Sequence, residues 1–129
     1  MGRFQSSKVF DGFSTVFRQW KAEDTHCRFL HGYGISTQID GKSPKEWMDY
    51  MFDHTVIVAE DDPGMGGWKT MDGLGVIQLR VIEATGAEKF SEYIFNKLNP
   101  FVQEETDGRV RVTKVKFMEH GKNAAYYSE

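Results

Sequence analysis

Branched and aromatic residues recur through Ser6 to Ala22, SSKVFDGFSTVFRQWKA, with Val9, Phe13 and Phe17 on one parity and Val16 and Trp20 on the other. This alternation predicts extended chain with a bulge near Gly12. In HCRFLHGYGISTQI, Gly32 and Gly34 flank Tyr33, and Ile35 and Ile39 favour a second, short strand. His31 and Tyr33 then share a face, because strand side chains alternate. Ser43-Pro44-Lys45-Glu46 supplies a capping hydroxyl, a proline at the first helical position and a glutamate three residues after the cap, and so predicts a helix start. Trp47, Met48, Met51 and Phe52 form its buried face, and it ends near Asp53-His54, before the branched run Thr55 to Val58.

The next stretch, EDDPGMGGWKTMDGLG, holds five glycines and a proline and predicts a loop. Its lack of a Gly-Lys-Ser/Thr ending excludes a phosphate loop. A strand is expected over Val76 to Glu83. A helix follows over Gly86 to Asn99, with Phe90, Tyr93, Ile94 and Leu98 inward and Pro100 as its stop. RVRVTKVKF alternates at Val110 and Val112, then changes parity to Val115 and Phe117, which suggests a bulge near Thr113. Its Arg111, Lys114 and Lys116 read as a solvated face. Strands, helix, strand, helix, strand is the order of an α+β fold, with two helices over one face of a sheet.

At 129 residues the chain is expected to form a single domain, 1–129. Aromatic content of 14% argues against disorder, and a net charge of -3 argues against nucleic acid as partner. No apolar run reaches membrane-spanning length and MGRFQSSKVFDGF lacks the apolar stretch of a secretory signal, so no membrane partner and a cytoplasmic location are expected. The lone Cys27 has no disulfide partner within the chain and is available for chemistry.

By itself a single cysteine reads most simply as a small core residue. Nearby His26, Arg28 and His31 add positive charge of the kind that favours thiolate. Asp53-His54 has the plain reading of a histidine favoured by a helix C-terminus. Glu119, in KFMEHGKNAAYY, is either the first exposed residue after an apolar run or a carboxylate that accepts two parallel hydrogen bonds from a planar amidine-like edge.

Taken together, FSTVFRQ, Cys27-x-x-x-His31-Gly32-Tyr33, Asp53-His54, Glu88 at a helix start, and Glu119 followed by Ala125-Tyr126 resemble the 6-pyruvoyl tetrahydropterin synthase / 6-carboxytetrahydropterin synthase family. The resemblance runs in order over nearly the whole chain. It implies a tunnelling fold (T-fold), an antiparallel sheet with two helices on one face that assembles as a homo-oligomer, trimer or hexamer, with substrate pockets between subunits. It also implies Cys27 as general base or acid, His54 as its proton partner and Asp53 as the group orienting His54. Glu119 would hold the pterin edge, and Glu88, in Thr85-Gly86-Ala87-Glu88, would support that corner.

The implied reaction converts 7,8-dihydroneopterin triphosphate to 6-carboxytetrahydropterin with release of acetaldehyde and triphosphate, on the way to queuosine and related deazapurines. The family's cofactor is zinc on three histidines, of which this chain keeps His31 as metal ligand; Phe17 and Tyr33 stand at the other two positions. Phenylalanine has no donor atom, and tyrosine becomes a good ligand only as phenolate. The alternative implied is a catalytically reduced pterin-binding protein without the three-histidine site. The short stretch from Gly34 to Lys42 has room for one strand where the family has two, so a truncated sheet is expected.

Overall fold

A computed structural model describes residues 6–21, 31–40, 45–120 and 123–129 of the chain. The elements in order are β1 (Ser7–Phe17), β2 (His31–Asp40), α1 (Lys45–Phe52), β3 (Thr55–Ala59), α2 (Met65–Gly73), β4 (Leu79–Ile82), α3 (Ala87–Glu105), β5 (Lys114–His120) and β6 (Asn123–Ser128). The capping residues Ser43 and Pro44 lie outside the described residues, but the helix they announce is α1; of its expected buried face Met48, Met51 and Phe52 are enclosed, and Trp47 is half-buried against the core.

The six strands lie in the order β4-β3-β1-β2-β5-β6. β1, β2 and β5 form the antiparallel part expected, and β6 extends it beside β5. β3 and β4 add to it in parallel, β3 against β1 and β4 against β3. Parallel neighbours need a crossover segment. The glycine-rich stretch between β3 and β4 provides it and, contrary to the expected loop, contains helix α2. No residue of α2 is buried, so it carries no apolar stripe to read, and Gly66, Gly67 and Gly73 each disfavour helix by about 1 kcal/mol relative to alanine.

The register of β1 on β2 slips between Phe10 and Phe13, which places the bulge at Gly12 as the sequence indicates. The slip changes which parity faces inward: Phe10 is buried and Val9 is 53% exposed, whereas Phe13, Thr15 and Phe17 are buried beyond it. Val9 therefore does not share the inner face with Phe13. β2 runs as one strand, and the sheet is not truncated, because β6, which no alternation in NAAYYS announces, completes the antiparallel set beside β5. The parity change near Thr113 is not a bulge: β5 begins at Lys114, and the Val112 N–H donates to Asn99 Oδ1 at 2.9 Å.

Pro100 does not stop α3, which continues to Glu105. Leu98 and Val102 are buried on either side of it, so packing outweighs the one hydrogen bond a proline forfeits. The core is built on phenylalanines from four elements. Phe17 meets Phe90 edge-on at 4.7 Å, Phe90 lies 5.0 Å from Phe117, and Phe52 lies 5.7 Å from Phe117. Each such pair adds about 1 kcal/mol beyond the area it buries. Among the described residues no helix is long and apolar enough to cross a membrane.

Candidate functional site

The end of α1 is pinned on several sides. The Thr15 hydroxyl donates to the Phe52 carbonyl, and the Thr55 hydroxyl donates to the Met51 carbonyl at 2.9 Å. His54 turns the chain at φ 57°, an uncommon conformation for a residue with a side chain. Its N–H donates to the Ser14 carbonyl at 2.7 Å, and its own carbonyl accepts from Gln78 Nε2 at 3.1 Å. Asp53 and His54 are thereby brought together: Asp53 Oδ1, shielded from solvent, lies 3.0 Å from His54 Nδ1, while the His54 side chain is 75% exposed. The two groups are close, but the Nδ1–H is not aimed at the oxygen, and Asp53 Oδ1 is left without a hydrogen-bond partner among the described residues.

Glu119 lies on β5 where the register with β6 slips between Met118 and His120. A bulge there gives a half-buried carboxylate its own direction off the sheet. Glu88 is exposed in the first turn of α3. Glu88 and Glu119 each stand two residues from a core phenylalanine, Phe90 and Phe117 respectively, whose rings are 5.0 Å apart. A surface pocket of about 320 Å³ lies beside the start of α3, lined by Gln19, Trp20, Lys21, Asp61 and Thr85 among others.

The Asp53–His54 pair does not meet Glu119 within one chain. The pair opens β3, Glu119 is on β5, and β1 and β2 stand between them. Three interstrand steps amount to about 14 Å. Cys27 lies outside the described residues.

The three positions of the implied zinc set are Phe17, His31 and Tyr33. The backbone register sets His31 opposite Phe17 and Tyr33 opposite Thr15. Phe17 is fully buried against Phe90 and offers no donor atom, so three-histidine zinc does not fit this chain. Among the described residues no group of three or more histidine, cysteine, aspartate or glutamate side chains converges as a metal site.

One ion pair was not foreseen from the sequence. Arg18 holds Asp62 through Nε at 2.8 Å and Nη2 at 2.5 Å, and the Asp62 side chain is fully enclosed. The two residues lie far apart in sequence, and neither stands in a spacing that announces the other. The Arg18 guanidinium, helped by the Gly64 N–H, holds the Asp62 carboxyl below the usual carboxylate range against the opposing effect of burial. A lowered folded-state pKa contributes stability that is fully present above the unfolded value, about 4, and is lost as pH falls through the folded one. Asp62→Asn is therefore expected to flatten the acid limb of stability below about pH 4. Denaturant midpoints measured from pH 7 downward check this, and parallel acid limbs in the two proteins would refute it.

A mixed sheet with an antiparallel four-stranded part, and helices bearing a shared aromatic core, defines an α+β protein of the T-fold class. The family model of 6-pyruvoyl tetrahydropterin synthase matches residues 41–129, and the chain belongs to that family. An uncharacterized protein from Wolinella succinogenes has the same fold with a TM-score of 0.79 at 19% identity, over 98% of both chains. A catalytic-residue mutant of Plasmodium vivax 6-pyruvoyltetrahydropterin synthase matches with a TM-score of 0.55 at 15% identity, over 98% of this chain and 99% of that one. Caenorhabditis elegans 6-pyruvoyl tetrahydropterin synthase matches with a TM-score of 0.50 at 18% identity, over 98% and 95%. Comparison with curated protein sequences finds no match.

Proposed function

We propose that this chain is a lyase of the 6-carboxytetrahydropterin synthase type, acting on 7,8-dihydroneopterin triphosphate in the cytoplasm and supplying queuosine and related deazapurines. The observation that carries the reading is the Asp53–His54 pair, set at 3.0 Å on a rigid junction with the imidazole open to solvent. In this reading Cys27 takes and returns protons at the substrate side chain, and His54 Nε2 relays them. Asp53 holds the His54 ring, and Glu119 accepts paired hydrogen bonds from the amino-pyrimidinone edge, with Glu88 supporting that corner.

The distance between β3 and β5 supports a site completed by a second copy of the chain, in which the Asp53–His54 pair of one protomer faces the Glu119 of its neighbour. No step is assigned to zinc. The buried Phe17 favours a second reading, a pterin-binding protein with reduced or no turnover.

Turnover of dihydroneopterin triphosphate and calorimetric titration with a pterin separate the two. Cys27→Ala is expected to lower turnover by about 100-fold or more with pterin affinity kept, because the thiol acts in the chemistry and not in ring recognition. Glu119→Gln is expected to weaken pterin binding by roughly 10-fold to 100-fold, the worth of hydrogen bonds to a charged acceptor. A protein that binds pterin without turning it over leaves the second reading standing, and one that binds none removes both.

A further inference from the structure

The segment that leaves β1 is fastened to two other loops. Arg18 grips the enclosed Asp62 in the β3–α2 connection with two parallel bonds, a geometry that fixes orientation as well as distance. The Thr85 hydroxyl, in the β4–α3 connection, donates to the Arg18 carbonyl at 2.6 Å. Next along the chain, Trp20 Nε1 donates to Asp61 at 3.1 Å and Lys21 pairs with the same carboxylate at 3.1 Å. Gly86, at φ 119°, sits so close to Gln19 that a Cβ there would lie 2.9 Å from Gln19 Nε2. The carboxyl ends of the parallel strands β1, β3 and β4 are thus tied into one unit.

The tied residues are also the pocket. Gln19, Trp20 and Lys21 line it from the β1 side, Asp61 from the β3 side and Thr85 from the β4 side, and Glu88 follows in the first turn of α3. Asp62 itself is enclosed behind this wall and is absent from the pocket lining. We infer that Asp62 is a positioning residue for ligand binding: through Arg18 it sets the pocket wall at Gln19–Lys21 against Thr85 and the start of α3, and so places Glu88 for the pterin ring. This rests on the pterin reading above. An enclosed carboxylate suits the task because opening the link would leave the Asp62 charge enclosed and uncompensated, so it does not open and close freely.

The test compares wild type with Asp62→Asn and with the milder Thr85→Val, which cuts the β4–α3 tie while keeping side-chain shape. Two readouts are taken on the whole protein: amide hydrogen exchange by mass spectrometry, and KM and kcat for dihydroneopterin triphosphate. In Asp62→Asn, exchange in the peptides covering 17–21 and 85–90 is expected to rise together by about tenfold, with α1 unchanged. KM is expected to rise about tenfold with kcat within about threefold, because a pocket wall moves and the Asp53–His54 pair does not. Thr85→Val is expected to shift both readouts in the same direction by a smaller factor; if Asp62→Asn does not fold, exchange at 17–21 in this variant decides the matter, because Thr85 itself lines the pocket and can change KM directly.

Unchanged exchange at 85–90 overturns the inference, since the loops are then not coupled through Asp62. Raised exchange with unchanged KM also overturns it, leaving the ion pair a purely structural one. If wild type binds no pterin, the functional reading fails and the ligand named here falls with it, while the exchange data still decide whether the loops are coupled.

Discussion

Substituting histidine for Phe17 is expected to lower the unfolding free energy by about 3 kcal/mol and to leave the purified protein without stoichiometric zinc. Phe17 is fully buried and meets Phe90 edge-on at 4.7 Å. An imidazole there loses ring contacts and brings two nitrogens into an apolar site. Phe90, Phe52 and Phe117 surround the region and offer no hydrogen-bond partner from their side chains. Large-to-small changes at buried phenylalanines cost about 3–5 kcal/mol, and a buried polar group left unsatisfied adds about 1–3. The smaller void left by histidine offsets part of this. Denaturant unfolding and metal analysis of the variant check the two halves of the prediction. A variant of wild-type stability carrying one zinc per chain would show that position 17 turns readily from core to site.

Two singly impaired variants, assayed at substrate concentrations below the KM of the weaker binder, are expected to restore each other. His54→Ala removes the proton relay and Glu119→Gln the ring anchor, and the two residues sit on strands separated by β1 and β2. If each working site takes His54 from one protomer and Glu119 from its neighbour, an equal co-expressed mixture regains roughly a quarter of wild-type activity. If both residues of a site come from the same chain, every site in the mixture carries one defect and activity stays at the level of the single variants. The decisive measurement is turnover by hetero-oligomers isolated with two different affinity tags. Inactive hetero-oligomers would contradict a site shared between copies.

The helices that carry the core were legible because each has an unmistakable stripe: Met48, Met51 and Phe52 in α1, and Phe90, Ile94 and Leu98 in α3, all buried as their spacing indicates. The bulge at Gly12 was legible because glycine interrupts an otherwise regular alternation. α2 was not, since nothing on it is buried and its glycines argue for loop. Pro100 misled for a related reason: local propensity says stop, but the apolar residues before and after it pack on the sheet and carry the helix through. In the site, Asp53-His54 was readable as neighbours in sequence. The separate Arg18–Asp62 pair was not, because the two recognise each other only across the ends of β1 and β3.

Sequence alone determined the family, the periodic faces of α1 and α3 and the identity of the candidate acid, base and ring-binding groups, since these depend on residue type, spacing and order along the chain. Tertiary structure decided that β3 and β4 join the sheet in parallel, that Phe17 belongs to the core, and that the Asp53–His54 pair and Glu119 stand on opposite sides of β1 and β2. Those outcomes follow from long-range strand pairing and from which side chains fill the space between sheet and helices. Neither is a property of any local stretch of residues.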